Sequence, residues 1–275
     1  MMMYKILGLF TCHNRYEKTR KCLEQLLQDT GIRWEFIAVN DNSTDGTEEF
    51  LNNTKEVTVL QGDGNLYYSG GMRLAIQAAK EKFHNNEYDF VLLFNDDVAF
   101  YRNAVSRLVD YLNEEQAIMV GATEDERGEF TYGGVIQKSS WRPKYKHVMS
   151  KSEKIRCDTF NANCVLIPSK IFLALDNMDP VYVHSFGDYD YGFTASKKGI
   201  TIYVSNFFVG ICEYDHDIKN TWKDFELPRR KRLELKETAL GNPGGIWFHF
   251  LKKNYGLVTA ILYSVNDYMK ILLKR

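Results

Sequence analysis

Up to about residue 121, short apolar runs alternate with longer stretches of helical periodicity. Tyr4–Thr11 (YKILGLFT), Glu35–Asn40 (EFIAVN), Glu56–Leu60 (EVTVL) and Phe90–Asn95 (FVLLFN) are nearly continuous in apolar residues. That is the pattern of strands buried on both faces of a parallel sheet. The segment after the first strand, HNRYEKTRKCLEQLLQ, reads as a helix. Asn14 with Glu17 three residues on resembles a capping box, and Tyr16, Leu23, Leu26 and Leu27 share one face. DNSTDGTEEFLNN predicts a turn and a short helix. Gly70–Phe83 predicts a helix with Leu74, Ala75 and Ala78 inward, and Arg102–Asn113 another. Strand and helix in alternation imply right-handed crossovers and an α/β fold with a mainly parallel central sheet covered by helices on both faces.

Ligands in such sheets sit at the carboxyl ends of the strands. Thr11–Arg15, Asn40–Asp45 and Asn95–Asp97 all fall there, so they should converge on one crevice. Beyond residue 121 the pattern changes to short strands (TYGGVIQ, NCVLIP, ITIYVS) among loops, read as completing the sheet and walling an acceptor side. From Leu227 the chain turns basic (LPRRKR), and Gly245–Arg275 reads as a helical tail rich in Trp, Phe, Tyr and Leu. This divides the chain into a domain over 1–226 and an extension over 227–275.

Composition narrows the picture only a little. The 275 residues carry a net charge of −1, which argues against nucleic-acid binding driven by bulk positive charge. The five cysteines (Cys12, Cys22, Cys157, Cys164, Cys212) are odd in number and widely spaced, with no C-x-x-C. Reduced thiols in a cytoplasmic protein are the simplest reading. No basic region followed by a long apolar run opens the chain, and no stretch reaches the roughly 18 apolar residues of a membrane span.

GDGNLY begins like a dinucleotide fingerprint but ends on Tyr67 and does not open the first helix of the sheet, so a nicotinamide or flavin site is excluded. No phosphate-binding P-loop motif occurs. What remains is a set of acids, Asp41, Asp45, Asp96 and Asp97, with Asn40 and Asn95. Clustered carboxylates need a cation, and hard ions such as Mg2+ or Mn2+ prefer oxygen ligands. A metal with few protein ligands then calls for a diphosphate. The alternative is that these residues cap helices and build turns, and for Asp45 both readings stand. In HSFGDYDYGFTASKKG, Asp188 suits a general base and Asp190 either acceptor binding or a helix N-terminal role. His216, between Asp215 and Asp217, is a candidate metal or phosphate contact, and His13 a candidate nucleotide contact.

Taken together, LFTCHNR, VNDNSTDGT, GDGNLYYSGGMRLAI, FNDDV and FGDYDYGFTASKKG resemble, in order, the motifs of family 2 glycosyltransferases of the GT-A fold. The paired Tyr67 and Tyr68 make the likeness closest to rhamnosyltransferase-type members. The resemblance implies a nucleotide pocket from Thr11, His13, Asn14, Arg15 and Asp41, with Asn95 and Asp96 facing ribose or metal. It implies sugar or acceptor contacts from Tyr67, Tyr68, Gly70, Gly71 and Asp190, metal ligation of Mn2+ or Mg2+ by Asp97 and His216, and Asp188 as the base. The chain departs from the family pattern at Asn40, Asn95 and Gly187, which stand where acids are usual.

The implied activity is inverting transfer of a sugar from a nucleotide-diphosphate donor to a hydroxyl of a glycan or lipid-linked acceptor, in polysaccharide biosynthesis. A nucleotidyltransferase is disfavoured because TCHNRYEKTR lacks a glycine-rich loop. A non-catalytic sugar-nucleotide binder is disfavoured by retention of Asp97 and Asp188. In the tail, Arg229–Arg232 with Trp247, Phe248, Phe250, Leu251 and Tyr255 suit either a peripheral membrane contact or packing on the domain or on a second subunit of a homodimer.

Overall fold

The computed structural model describes residues 3–84, 87–112, 115–214 and 218–273. The chain opens as β1 (Tyr4–Cys12), α1 (Tyr16–Leu27), β2 (Ile32–Asn40), α2 (Thr47–Asn53), β3 (Val57–Gln61), α3 (Tyr67–Lys82) and β4 (Phe90–Phe94). It continues as β5 (Ala99–Phe100), α4 (Ala104–Leu112), β6 (Ile118–Glu124), β7 (Gly134–Gln137), β8 (Tyr145–Val148), β9 (Ile155–Cys157), β10 (Thr159–Phe160) and β11 (Cys164–Pro168). It closes as α5 (Ser169–Ala174), α6 (Gly187–Lys197), β12 (Ile202–Ile211), α7 (Arg229–Lys236), α8 (Gly244–Tyr255) and α9 (Leu257–Leu273).

The central sheet runs β3-β2-β1-β4-β11-β6-β12-β5, with β9 paired to β12. β3, β2, β1 and β4 are parallel neighbours, as their apolar runs predict. β11 then enters antiparallel to both β4 and β6, and β12 lies parallel to β6. A smaller antiparallel sheet, β10-β7-β8, stands beside it. Along β1 the side chains divide by parity: Leu7 and Leu9 enter the core under α3, and Ile6 and Phe10 the core under α1 and α4. This alternation explains why a strand covered on both sides reads as one unbroken apolar run.

Two local expectations change. Asn14 does not cap α1: it has φ 51° and its Oδ1 accepts the Thr44 N–H at 2.7 Å. The Tyr16 N–H at the start of α1 is met instead by Asp45 Oδ2 at 2.9 Å, from the next loop of the sheet. Leu27 is exposed, because the buried stripe of α1 runs through Thr19, Cys22, Leu23 and Leu26.

The tail is packed, not free. On α8, Phe250 and Leu251 are fully buried, and they join Tyr182, Phe193, Tyr255 and Ala260 in a third apolar cluster. Trp247 stacks on Phe186 with ring centroids 5.0 Å apart. Of the two readings of this aromatic group, packing on the domain holds for Phe250, Leu251 and Tyr255, while Trp247 and Phe248 are half-buried against the same cluster. Arg232 is buried as well, its Nε donating to the Trp222 carbonyl at 3.0 Å.

Candidate functional site

The loops after β1, β2 and β4 are stitched to one another. Asp41 N–H donates to the Cys12 carbonyl at 2.9 Å, and His13 Nδ1 lies 2.6 Å from the Asp41 carbonyl. Asn14 N–H donates to Ser43 Oγ at 3.0 Å. The third loop is tied in by Arg15, whose Nη1 reaches Asp97 Oδ2 at 2.9 Å and Asp96 Oδ1 at 3.3 Å. The crevice expected from the strand ends is thus formed by Thr11–Arg15, Asp41–Asp45 and Asn95–Asp97.

Within it the two neighbouring aspartates differ. Asp96 is buried and takes the Thr19 hydroxyl at 2.8 Å. Burial pushes its carboxyl up to about 6 against the opposing pull of Arg15 and Thr19. It is the support under the loop. Asp97 is more open, with Cys212 Sγ donating to its Oδ1 at 3.8 Å. Asn95 Oδ1 is buried with no hydrogen-bond partner among the described residues. That orphan acceptor, two residues before the half-buried and Arg15-paired Asp97, is an oxygen of the kind a hard cation takes. Among the described residues no three His, Cys, Asp or Glu side chains cluster to cage a metal. The set is the partial kind, one or two protein oxygens, that Mg2+ or Mn2+ completes with phosphate and water. The cation that the acids call for is supplied in part by the protein itself, as Arg15.

The opposite wall is the first turn of α6. Asp188 accepts the Tyr189 N–H at 2.8 Å and the Ala162 N–H at 3.3 Å. Burial pushes its carboxyl up to about 6, while those backbone donors hold it down. Residues 161–163 link the two walls. Ala162 holds Asp188, the Asn163 carbonyl accepts the Asn95 N–H at 3.2 Å, and Asn163 Nδ2 reaches Cys212 Sγ at 3.3 Å. The turn into α6 is tight, with Phe186 at φ 70°. Gly187 follows because a Cβ there would lie 2.3 Å from Ser69 Oγ. The acid usual at this position has no room. Ser69 in turn donates to the His184 carbonyl at 2.7 Å, which ties α3 to the same segment.

Several sequence-derived assignments change on this geometry. Asp41 is spent on its own loop: Oδ1 takes the Gly64 N–H at 2.7 Å, and Oδ2 the Leu66 and Tyr67 N–H groups at 3.0 Å each. It shapes the entry to α3 and presents no vacant carboxylate oxygen edge to a nucleotide. Thr11 donates to the Val39 carbonyl at 3.2 Å and lies under α3, where a Cβ on Gly71 would come within 2.3 Å of its Oγ1. Thr11 and Gly71 are packing positions, and Gly70 is buried in the same turn of α3. Asp190 is buried and held by Lys253 Nζ at 2.6 Å and Asn254 Nδ2 at 3.0 Å, so it anchors α8 and does not face an acceptor. Asp45 serves the turn and helix reading, accepting Tyr16 and Thr47 N–H groups. His216 lies outside the described residues.

Tyr67 and Tyr68 open α3, beside the segment that leads into α6. Tyr67 meets His184 edge to face at 6.2 Å. The Tyr68 hydroxyl is pushed up by burial and by nearby Asp188, and it has no hydrogen-bond partner among the described residues. His184, which no sequence motif singled out, is pushed down by burial and by Arg15. Its signal was its position four residues before Asp188. Cys212 and Asn163 gave none, because both sit in apolar runs.

Known proteins bear on this geometry. The family model described as "Glycosyl transferase family 2" matches residues 9–172. No curated protein sequence matches the chain. Among solved structures, a mannosyltransferase from Pyrobaculum calidifontis, in complex with GDP-Man and Mn2+, aligns with TM-score 0.53 and 12% identity, over 99% of this chain and 75% of its own. GalNAc-T7 with UDP, GalNAc and Mn2+ aligns with TM-score 0.55 and 12% identity, over 98% of this chain. This chain spans 58% of that second protein. The likeness is one of fold.

Proposed function

Since the chain belongs to glycosyl transferase family 2, we propose that it transfers a hexosyl or deoxyhexosyl group, with inversion, from a nucleoside-diphosphate donor to a hydroxyl of a glycan or lipid-linked acceptor. The observation that supports this reading is Asp188, whose carboxylate accepts the Tyr189 and Ala162 N–H groups and is brought to about 6 by burial, with Asn163, next to Ala162, accepting the Asn95 N–H. A base near that value is ionised at neutral pH yet still basic enough to accept a proton.

In this reading the acceptor O–H gives its proton to Asp188 as its oxygen bonds to the sugar C1 from the face opposite the diphosphate. The C1–O bond to the diphosphate breaks in the same step, and its electron pair leaves with the phosphate. Asp97 with Asn95 would hold Mn2+ or Mg2+, which when bound supplies charge neutralisation for the leaving diphosphate. Arg15 keeps Asp96 and Asp97 tolerable side by side and adds its own positive charge next to the departing group. His13 and Asn14, at the exposed rim, are the proposed nucleotide contacts. Tyr67 and Tyr68 are the proposed sugar contacts, and as a pair they favour a deoxyhexose such as rhamnose. The transfer is assigned to residues 1–226, with 227–275 as its support, in polysaccharide biosynthesis at the cytoplasmic side of a membrane. Neighbours holding GDP-Man and UDP set the donor panel.

The test is a thermal-shift series of nucleoside diphosphates and their sugars, with and without Mn2+. A rise of several degrees for one base, dependent on the metal, identifies the donor class. No shift for any of them sinks the proposal.

A further inference from the structure

No helix among the described residues is long and apolar enough to cross a membrane. Yet α9 presents an uncovered apolar face. Leu257, Val258, Ile261, Leu262, Val265 and Met269 are exposed, Val258 to 72% and Leu262 to 60%, and Leu272 and Leu273 continue the stripe. At 100° per residue these eight positions occupy one sector less than half the helix circumference, with no charged residue inside it. The opposite side is the packed one. Ala260 and Ile271 are buried, and Asp267 accepts Asn242 Nδ2 and Lys270 Nζ at 3.0 Å each. The outward face is therefore not a frayed core face, since the helix already has its core contacts.

What borders the stripe points to its occupant. Thr259 on α9 donates to the Trp141 carbonyl at 2.8 Å. The Trp141 ring, 54% exposed, lines a shallow groove with Leu262, Val265 and Met269. Arg142 lies over that ring at 4.1 Å, and Lys144 follows it, exposed. Lys270 stands exposed on the same edge of α9. Along the other edge, Tyr268 donates to Glu237, the residue that follows α7, and Arg229, Arg230 and Lys231 are exposed at the far end of that helix. The acids there are engaged: Glu234 with Arg230 and Lys231, Glu237 with Lys236 and Tyr268. An apolar stripe with an exposed indole and the cations Arg142, Lys144 and Lys270 at its margin, and a basic helix beside its other edge, matches the boundary between acyl chains and anionic headgroups.

We propose that α9, with Trp141 and its basic neighbours, lies in the surface of an anionic lipid bilayer and holds the protein there. A second copy of the chain is the poorer occupant. Two-fold pairing through this face would set the basic edges of the copies against each other, whereas an anionic surface satisfies both. The inference concerns residues remote from Asp97 and Asp188 and stands or falls apart from the transfer reaction.

The test is co-sedimentation of the full chain with vesicles of phosphatidylcholine alone or with roughly a third phosphatidylglycerol. The wild type should pellet with the anionic vesicles at about ten-fold less lipid than with the neutral ones, and less well in high salt. The double variant Leu262→Asp/Val265→Asp, which changes only exposed positions, should melt as the wild type does and lose at least about ten-fold in binding. Arg142→Glu/Lys144→Glu should weaken binding to anionic vesicles alone. Brominated lipid should quench wild-type fluorescence and leave Trp141→Phe unaffected. The proposal is overturned if the wild type stays in the supernatant with anionic vesicles, or if the double variant pellets as the wild type does. It is equally overturned if sedimentation equilibrium finds a dimer that the double variant splits while no vesicle binding occurs.

Discussion

Lys253 Nζ lies 2.6 Å from Asp190 Oδ2, so the helix near the end of the chain is ion-paired to the turn that carries Asp188 two residues earlier. Lys253 also reaches Asp179 at 3.0 Å, where His249 makes a second contact at 3.0 Å. Trp247 meanwhile covers Phe186, the residue in left-handed conformation that opens the turn. The position of Asp188 thus depends on α8 as well as on its own helix. Lys253→Met leaves the buried Asp190 without its cationic partner, and should cost about 1–3 kcal/mol of stability. Turnover should fall more than donor affinity, because the base moves and the nucleotide side does not. Lys253→Arg should recover part of both. Melting curves beside a kcat and KM comparison check this, and equal losses in kcat and donor affinity would contradict it.

Asp188→Asn removes the charge that burial makes costly. The wild-type carboxyl, at about 6, is raised above its unfolded value of about 3.8. The folded state therefore binds the proton more tightly than the unfolded one. Stability associated with this group is present below about pH 4 and is lost as pH rises through about 6. The stability of the Asn variant relative to the wild type should consequently rise from pH 4 to pH 7.5, on top of a constant loss from the one backbone N–H that its amide cannot accept. Its transfer rate should fall by about 10²–10⁴-fold with donor binding intact. In the wild type, kcat/KM should drop about ten-fold per pH unit below pH 6 as the base is protonated. A flat profile from pH 5 to 7 would remove Asp188 from the reaction.

Arg15→Gln should show how far the guanidinium supports the buried Asp96. Asp96 sits at about 6 with Arg15 in place, and losing the guanidinium raises it further. At pH 5 the group is largely protonated with or without Arg15, so the variant should be only slightly destabilised there. At pH 7.5 Asp96 must either keep a buried charge with Thr19 as its remaining side-chain partner, or hold a proton against the pH. The deficit should therefore grow with pH, to about 1–3 kcal/mol. Melting temperatures at the two pH values measure it.

These residues also show what a sequence can and cannot disclose. β1, β2 and β4 were legible because each is an apolar run of strand length, and their ends fix where the crevice must be. β11 has the same apolar character, but nothing in NCVLIP encodes its antiparallel direction, which depends on the route of the chain through β7–β10. Asp97 and Asp188 stood out by place in their motifs. Asp41 and Asp190 stood out equally and yet are bound into the protein, because what occupies them lies elsewhere: the backbone of residues 64–67 for one, Lys253 for the other. The tail left two readings open for a related reason. Trp247, Phe248, Phe250 and Leu251 are apolar around much of α8, so periodicity could not tell an inward from an outward face. It is the next helix that faces out.

Asn95 provides the sharpest test of the metal assignment. Its Oδ1 is buried without a partner among the described residues, next to Asp97, where the family pattern has an acid. Asn95→Asp adds a third carboxylate to Asp96 and Asp97. Without metal the variant should be less stable than the wild type at pH 7.5, since like charges so close disfavour ionisation. With Mn2+ present the order should reverse, because an added oxygen anion strengthens a hard-cation site. Asp97→Ala should do the opposite: melting in EDTA near that of the wild type, and no further rise with Mn2+ and donor. Mn2+ titration by calorimetry, with melting curves in EDTA and in Mn2+, reads all of these. If Asn95→Asp gains nothing from Mn2+ while Asp97→Ala keeps the wild-type response, the ion is held by other residues.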